Sequence, residues 1–452
     1  MTYKKTNLLT EGNIYKSLLT FSIPFLIANF IQILYGAVDL AVVGWFSNQI
    51  SVSAVSIGSQ ITQLIVSLIT GLTMGGTVLI AQYIGAKRES DSEETIATTF
   101  TLFLYVGIIL TIIMLLATPL ILKLIQTPQA SFKDACEYVY ICSAGILFIF
   151  GYNAVSAILR GMGDAKSPVL FIGVACICNI VLDFILVGPL KMGAAGAAIA
   201  TVIAQGVSLF LSIRFLRKKD FVFDFHLSSF KLNRTKAIMI FKIGLPVSLQ
   251  ETISSISFLC IASIVNSFGV AASAAYGICT KFEGFAMLPS IALSSAISTV
   301  AAQNIGAGKW ERAKKAMWIS ILFSICASMI FFIWAGVSSE SIMALFKADK
   351  TVTIAGTQYL HYFKYDFLLV AFGFTMNGFF NGCGRTFFAM INGIAASIFI
   401  RIPLAFIFSQ LHDKDLTGIG AAIPLATLVS VIAAIIYYQM GKWKKTNLDK
   451  NL

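Results

Sequence analysis

The chain has 452 residues, of which 57% are hydrophobic and only 12% are charged. A soluble globular protein carries about 25% charged residues, so the composition excludes a large soluble enzyme and describes a polytopic membrane protein. The net charge of +12 does not imply a nucleic-acid partner, because the basic residues sit in short loops between apolar runs and form no basic domain.

The first apolar run, Ser17–Phe46, crosses a bilayer with turns to spare and is too long for the core of a signal peptide. Pro24 predicts a kink in it. The run holds a carboxylate, Asp39, with no basic residue in the segment. A charge at mid-membrane costs roughly 2.5–3.5 kcal/mol on insertion scales, so an acid kept there marks a functional site. Five further spans follow at Val52–Gln82, Thr95–Thr118, Ala135–Leu159, Ser167–Gly188 and Ala194–Phe215. The glycine clusters at Gly71–Gly76 and Gly193–Ala198 predict close helix packing. The fifth span carries a second acid, Asp183.

Depth groups these residues. Asp39 lies about 10 Å from the end of its span and Asp183 about 8 Å from the end of its own, at the same outer face. Thr201 in the sixth span lies about 10 Å down from that face. Tyr35 is four residues from Asp39, and Asn179 four from Asp183, so each pair shares a helix face. One layer then holds two carboxylates, an amide, a hydroxyl and a phenol, suited to a bound cation or a shared proton. If the two acids are close, their titrations couple.

A polar linker, Arg217–Lys236, precedes a second set of six: Ala237–Phe268, Ala274–Gln303, Ala313–Val337, Thr353–Phe380, Thr386–Gln410 and Gly418–Gly441. The expected fold class is an all-α membrane protein of twelve transmembrane helices in two six-helix bundles. The domains are 1–216, a linker at 217–236, and 237–452 with a basic tail. Matches at a shift near 221 residues argue for duplication: AQYIGAK answers AQNIGAG, RGMGDAK answers NGCGRTF, and Tyr138 answers Tyr359. Asp39 and Asp183 have no acidic counterparts at that shift, which makes the first half chemically distinct.

Lys and Arg number 24 on the side of the N-terminus against 6 on the other, which places both termini in the cytoplasm. The second half has its own charges within spans. Glu251, Lys281, Glu283 and Asp366 are secondary cavity candidates, with Lys364 and Arg401 nearby. Lys281 is a possible interhelical partner of Glu251 or Glu283. The eight cysteines lie mostly in apolar runs without a C-x-x-C pair and read as small buried hydrophobes.

The stretches IPFLIANFIQILYGAVDLAVVG, AQYIGAK, RGMGDAK and NIVLDFILV, with their echoes in the second half, resemble the MATE (multidrug and toxic compound extrusion) transporters. The order resembles the bacterial, DinF-like branch. The resemblance implies two six-helix lobes in a V around a central cavity. It also implies export of organic cations or amphipathic drugs in exchange for H⁺ or Na⁺ across the bacterial cytoplasmic membrane. It assigns the coupling-ion site, including any Na⁺, to Asp39, Asn179, Asp183 and Thr201, with Tyr35 beside them. The glutamate that NorM-like members place eight residues after the seventh-span proline is Ser254 here, which leaves a second cation site in the C-terminal lobe open.

The expected protein is therefore a monomeric antiporter surrounded by membrane lipid, with no cofactor beyond its coupling ion and no enzymatic activity. No phosphate-binding loop is present to use ATP. Three histidines without metal-ligand spacing speak against a membrane enzyme. The nearest alternative is a lipid-linked precursor flippase of the same superfamily.

Overall fold

The computed structural model describes residues 9–218, 223, 226, 229–411 and 415–444. Much of the central linker and the basic tail beyond Lys444 lie outside the described residues. Every regular element among those described is helical. The first half holds α1 (Ile14–Phe46), α2 (Gln49–Gly85), α3 (Glu89–Leu124), α4 (Gln129–Ala144), α5 (Ile146–Gly161), α6 (Lys166–Val187) and α7 (Gly193–Lys218). The second holds α8 (Arg234–Asn266), α9 (Val270–Ala286), α10 (Leu288–Gly306), α11 (Trp310–Val337), α12 (Ser339–Leu345), α13 (Lys350–Gly382), α14 (Thr386–Ile394), α15 (Ile402–Leu411) and α16 (Leu416–Gln439).

Among the described residues, ten helical stretches are long and apolar enough to cross a membrane, or eleven if the bent pair α4 and α5 is one span. The remaining expected span, α13, has 33 residues and the necessary length, but Lys364 and Asp366 interrupt its apolar run. Large apolar side chains such as Leu116, Leu124 and Phe399 are exposed on the helix surfaces, as a lipid solvent requires and water would not.

The repeat seen in the sequence recurs in the backbone. Left-handed residues that end helices come in pairs 221 positions apart: Lys87 with Gly308, Gln126 with Lys347, and Gly163 with Gly384. Each reverses the chain at a helix C-terminus, a position that favours glycine.

Three predicted spans are not single regular helices. The Ala135–Leu159 span bends by 44° between α4 and α5. The bend lies at Gly145, where a Cβ would come 2.6 Å from a Val202 methyl of α7. The Ala274–Gln303 span divides at Met287, just before Pro289 in the first turn of α10. The Thr386–Gln410 span contains a π-helical stretch, Ala395–Arg401, between α14 and α15. Pro403 follows it. Proline has no N–H for the carbonyl four residues earlier and its ring clashes there, so a wider turn ahead of it relieves the contact.

The chain packs as two compact units that do not follow the sequence boundaries 1–216 and 237–452. One contains Ile23–Leu245, and the other contains Leu9–Ser22 with Pro246–Leu452. Both divisions fall within two residues of Pro24 or Pro246. Side chains explain why the segments entering α1 and α8 pack as they do. In the second unit, the Leu9 N–H donates to Gln303 Oε1 at 3.0 Å and Asn304 Nδ2 donates to the Leu9 carbonyl. Lys309 and Arg312 donate to the carbonyls of Thr10, Glu11 and Gly12.

In the first unit, the buried Lys236 donates to Tyr83 Oη at 2.7 Å and pairs with Asp91, while Asn233 Nδ2 donates to Glu94. Gly75 and Gly244 let α2 and α8 approach so closely that a Cβ at either would meet a carbonyl oxygen within 2.6 Å. The duplicated AQ-x-IGA stretches thus supply the clamps: Gln303 and Asn304 in one, Tyr83 in the other. The core of the first unit is built around Tyr138, Phe103, Phe150 and Leu159. That of the second is built around Tyr359, Phe363, Phe367 and Met343.

Candidate ion-binding site in the first unit

Asp39 and Tyr35 project from α1, Asn179 and Asp183 from α6, and Thr201 from α7. The tight α6–α7 hairpin brings the last two helices side by side. The structure places all five together within the Ile23–Leu245 unit. Asp39 is buried at 6% exposure, and Asn179 and Asp183 are fully buried. The Thr201 hydroxyl donates to Asp39 Oδ2 at 3.2 Å. The Asp39 carboxyl faces the side chains of Asp183, Asn179 and Thr201, and Tyr35 faces both acids. Neither acid turns toward lipid.

Several atoms of this nest lack a hydrogen-bond partner although buried: Tyr35 Oη, Asp39 Oδ1, both oxygens of Asp183 and both amide atoms of Asn179. Burying a polar group without a partner is costly, and a buried charge more so. Neither acid has a cationic partner: the ion pairs among the described residues are Arg88–Asp91, Lys236–Asp91 and Lys314–Glu311. The donor set consists of oxygens with one amide. That set suits a proton or a hard monovalent cation such as Na⁺. Among the described residues no three His, Cys, Asp or Glu side chains gather to hold a metal ion.

The sequence reading missed the wall supplied by α4. Tyr138 and Cys142 lie within electrostatic reach of Asp39, and Tyr138 also of Tyr35. Tyr138 packs on Gly58, where a Cβ would come 2.3 Å from its ring. Its match with Tyr359 in the repeat was the one available signal.

The secondary candidates separate. Glu283 and Asp366 are buried together in the second unit. Glu251 and Lys281 are exposed and do not join them. The expected pairing of Lys281 with Glu251 or Glu283 does not form, because Lys281 lies on the outer face of α9 while Glu283 points inward. Lys364 lies 5.5 Å from the Tyr365 ring and against Gly336, away from Asp366.

A twice-repeated helical membrane bundle with an unneutralised acid pair inside one repeat defines a secondary-transporter architecture. Comparison with known proteins agrees. The MatE family model matches the chain twice, at residues 24–185 and 246–407, two copies offset by 222 residues, and the chain belongs to that family. It is 28% identical to the probable multidrug resistance protein YpnP of Bacillus subtilis over 97% of this chain and 98% of that one. It is 27% identical to the multidrug export protein MepA of Staphylococcus haemolyticus over 95% and 94%. Among solved structures, a multidrug resistance MATE family transporter of the MOP superfamily, described in an outward-facing conformation, superposes with a TM-score of 0.90 at 25% identity. The match covers 99% of this chain and 100% of that one.

Proposed function

We propose that this protein is a secondary active multidrug efflux antiporter. It exports organic cations or amphipathic drugs by alternating access, in exchange for H⁺ or Na⁺ bound at Asp39, Asn179, Asp183, Thr201 and Tyr35. The observation that carries the reading is the buried Asp39–Asp183 pair, which has carboxylate oxygens without hydrogen-bond partners and no neutralising side chain. Two anions in an apolar bundle are stable only while something positive is bound. Binding and release of that charge therefore shifts the balance between two conformations of the protein, which is what a gradient needs in order to do work.

The names of the relatives support drugs as cargo and do not favour a flippase. The bias of Lys and Arg supports cytoplasmic termini, with the nest toward the outer face, where the ion would load. The roles are divided accordingly. Asp39 and Asp183 carry the exchangeable charge, Thr201 donates to the ionised Asp39, and Asn179 and Tyr35 complete the oxygen set. The test is ethidium transport in everted membrane vesicles under an imposed Na⁺ or pH gradient. Efflux that follows one gradient in wild type and is lost in Asp39→Asn and Asp183→Asn is expected. Undiminished coupled transport in both variants rejects the site.

A further inference from the structure

At the end of the second unit where α11 begins lies an open groove of about 640 Å³ that the ion site does not use. Small-molecule sites span about 300–1,000 Å³, so the groove is large enough for a ligand. Three elements frame it. The first turn of α1 gives Tyr15, the start of α11 gives the stretch from Glu311 to Leu322, and the end of α16 gives Tyr438. Edge-on ring contacts fix its walls: Tyr15 packs on Phe323 with ring centres 6.2 Å apart, and Trp318 on Tyr438 at 6.1 Å.

The chemistry changes in order along α11. Glu311, Lys315, Trp318 and Leu322 are spaced by four, three and four residues, so they share one face. All four are exposed, Trp318 by 48% and Leu322 by 55%. Lys315 stands about 10 Å along the helix from Leu322. At the same spacing beyond it, Cys326, Met329 and Ile333 are exposed as well. The stripe thus passes from charge, through an indole of the kind that sits at headgroup level, to apolar side chains.

Charge selects the occupant. Lys314 pairs with Glu311. Lys315 takes part in none of the ion pairs among the described residues. Two lysines against one carboxylate leave a single positive charge, which one phosphodiester cancels. Trp318 and the two tyrosines bring N–H and O–H groups able to donate to phosphate and glycerol oxygens. A soluble phosphate would meet only the charged end of the groove, whereas a phospholipid covers the lysine and the apolar stripe together. Basic pockets between helices near the cytoplasmic surface recognise acidic headgroups in this way.

We infer that this groove seats one anionic phospholipid of the cytoplasmic leaflet, with a phosphatidylglycerol-type headgroup on Lys315 and an acyl chain along Trp318 and Leu322. The leaflet rests on the Lys and Arg bias of this end of the helices. The site itself requires neither ion coupling nor drug cargo, and its residues belong wholly to the second unit.

The test places full-length protein in phosphatidylcholine vesicles and reads quenching of tryptophan fluorescence by lipids brominated on their acyl chains. Brominated phosphatidylglycerol, phosphatidylethanolamine and phosphatidylcholine are compared at one small fixed fraction. In wild type, phosphatidylglycerol should quench as though bound roughly fivefold more tightly than the other two, the effect of one lysine near the surface. Trp318→Phe should remove that excess by removing the reporter, and Lys315→Gln should remove it with the reporter in place. Lys315→Arg should retain it, as should Lys166→Gln, exposed at the start of α6. Equal quenching by the three lipids in wild type overturns the inference. So does an excess shared by phosphatidylethanolamine, or one that survives Trp318→Phe or Lys315→Gln. An excess abolished by millimolar inorganic phosphate assigns the groove to a soluble anion and overturns the lipid. Should Lys315→Gln fail to elute as a folded species, wild type in about 1 M salt decides, where the Debye length is about 3 Å. Loss of the excess there supports the site, and its persistence overturns it.

Discussion

Thr201→Val keeps the shape of the side chain and deletes one hydrogen bond, the 3.2 Å contact from Thr201 Oγ1 to Asp39 Oδ2. Bonds to charged groups contribute about 1.5–3 kcal/mol. This one lies at the long end of the usual range, so about 1.5–2 kcal/mol is expected, or roughly 10- to 30-fold in an equilibrium. The sign depends on the coupling ion. If Na⁺ couples, the variant loses an oxygen ligand, and the Na⁺ concentration for half-maximal efflux rises roughly 10- to 30-fold. If H⁺ couples, the ionised Asp39 loses a donor and releases its proton less readily, so the pH profile of efflux moves up by about one unit. Ethidium efflux in everted vesicles, titrated in Na⁺ at fixed pH and in pH without Na⁺, reads both. Thr201→Ser should behave as wild type. Unchanged profiles in Thr201→Val along both axes would refute the placement of this hydroxyl in the ion site.

Other outcomes follow from the same geometry. Asp39→Asn and Asp183→Asn should each abolish coupled efflux while leaving thermal stability equal to or above wild type, since each removes a buried charge. Detergent-solubilised melting curves measured beside the transport assay check both halves of that statement. Gly378→Ala should destabilise by about 3 kcal/mol, because its Cβ would lie 2.2 Å from the Ser294 carbonyl oxygen, a backbone atom that cannot give way. Gly58→Ala should cost less, because the obstacle there is the Tyr138 ring, which can turn. Lys236→Met should destabilise the first unit by about 1–3 kcal/mol, and a double-mutant cycle with Asp91→Asn should recover most of the loss.

Asp349, in the loop before α13, caps that helix. Donation from the Val352 N–H, then from the Thr351 hydroxyl, holds its carboxyl below the usual carboxylate range. A group depressed by folding stabilises above its unfolded value and ceases to as pH falls through its folded one. The stability difference between wild type and Asp349→Asn should therefore be steady near neutrality and shrink only in acid.

Composition, run length and the internal repeat determined the class, the helical content and the pairing of halves, because a bilayer admits few structures and hydropathy reports them directly. The five polar residues of the first nest were legible for the same reason. A polar group in an apolar run stands out, and helix rise gives its depth. Tertiary structure alone decided the rest. Tyr138 and Cys142 join the site because α4 packs there, and a buried tyrosine looks the same in sequence whether it lines a site or a core. Glu283 is buried in the second unit while Lys281, two residues away, is exposed, because facing depends on which side of α9 is packed against its neighbours. The entry segments of α1 and α8 take their places through hydrogen bonds across roughly 150 to 300 residues of chain. Contacts of that span arise from packing, which local sequence does not encode.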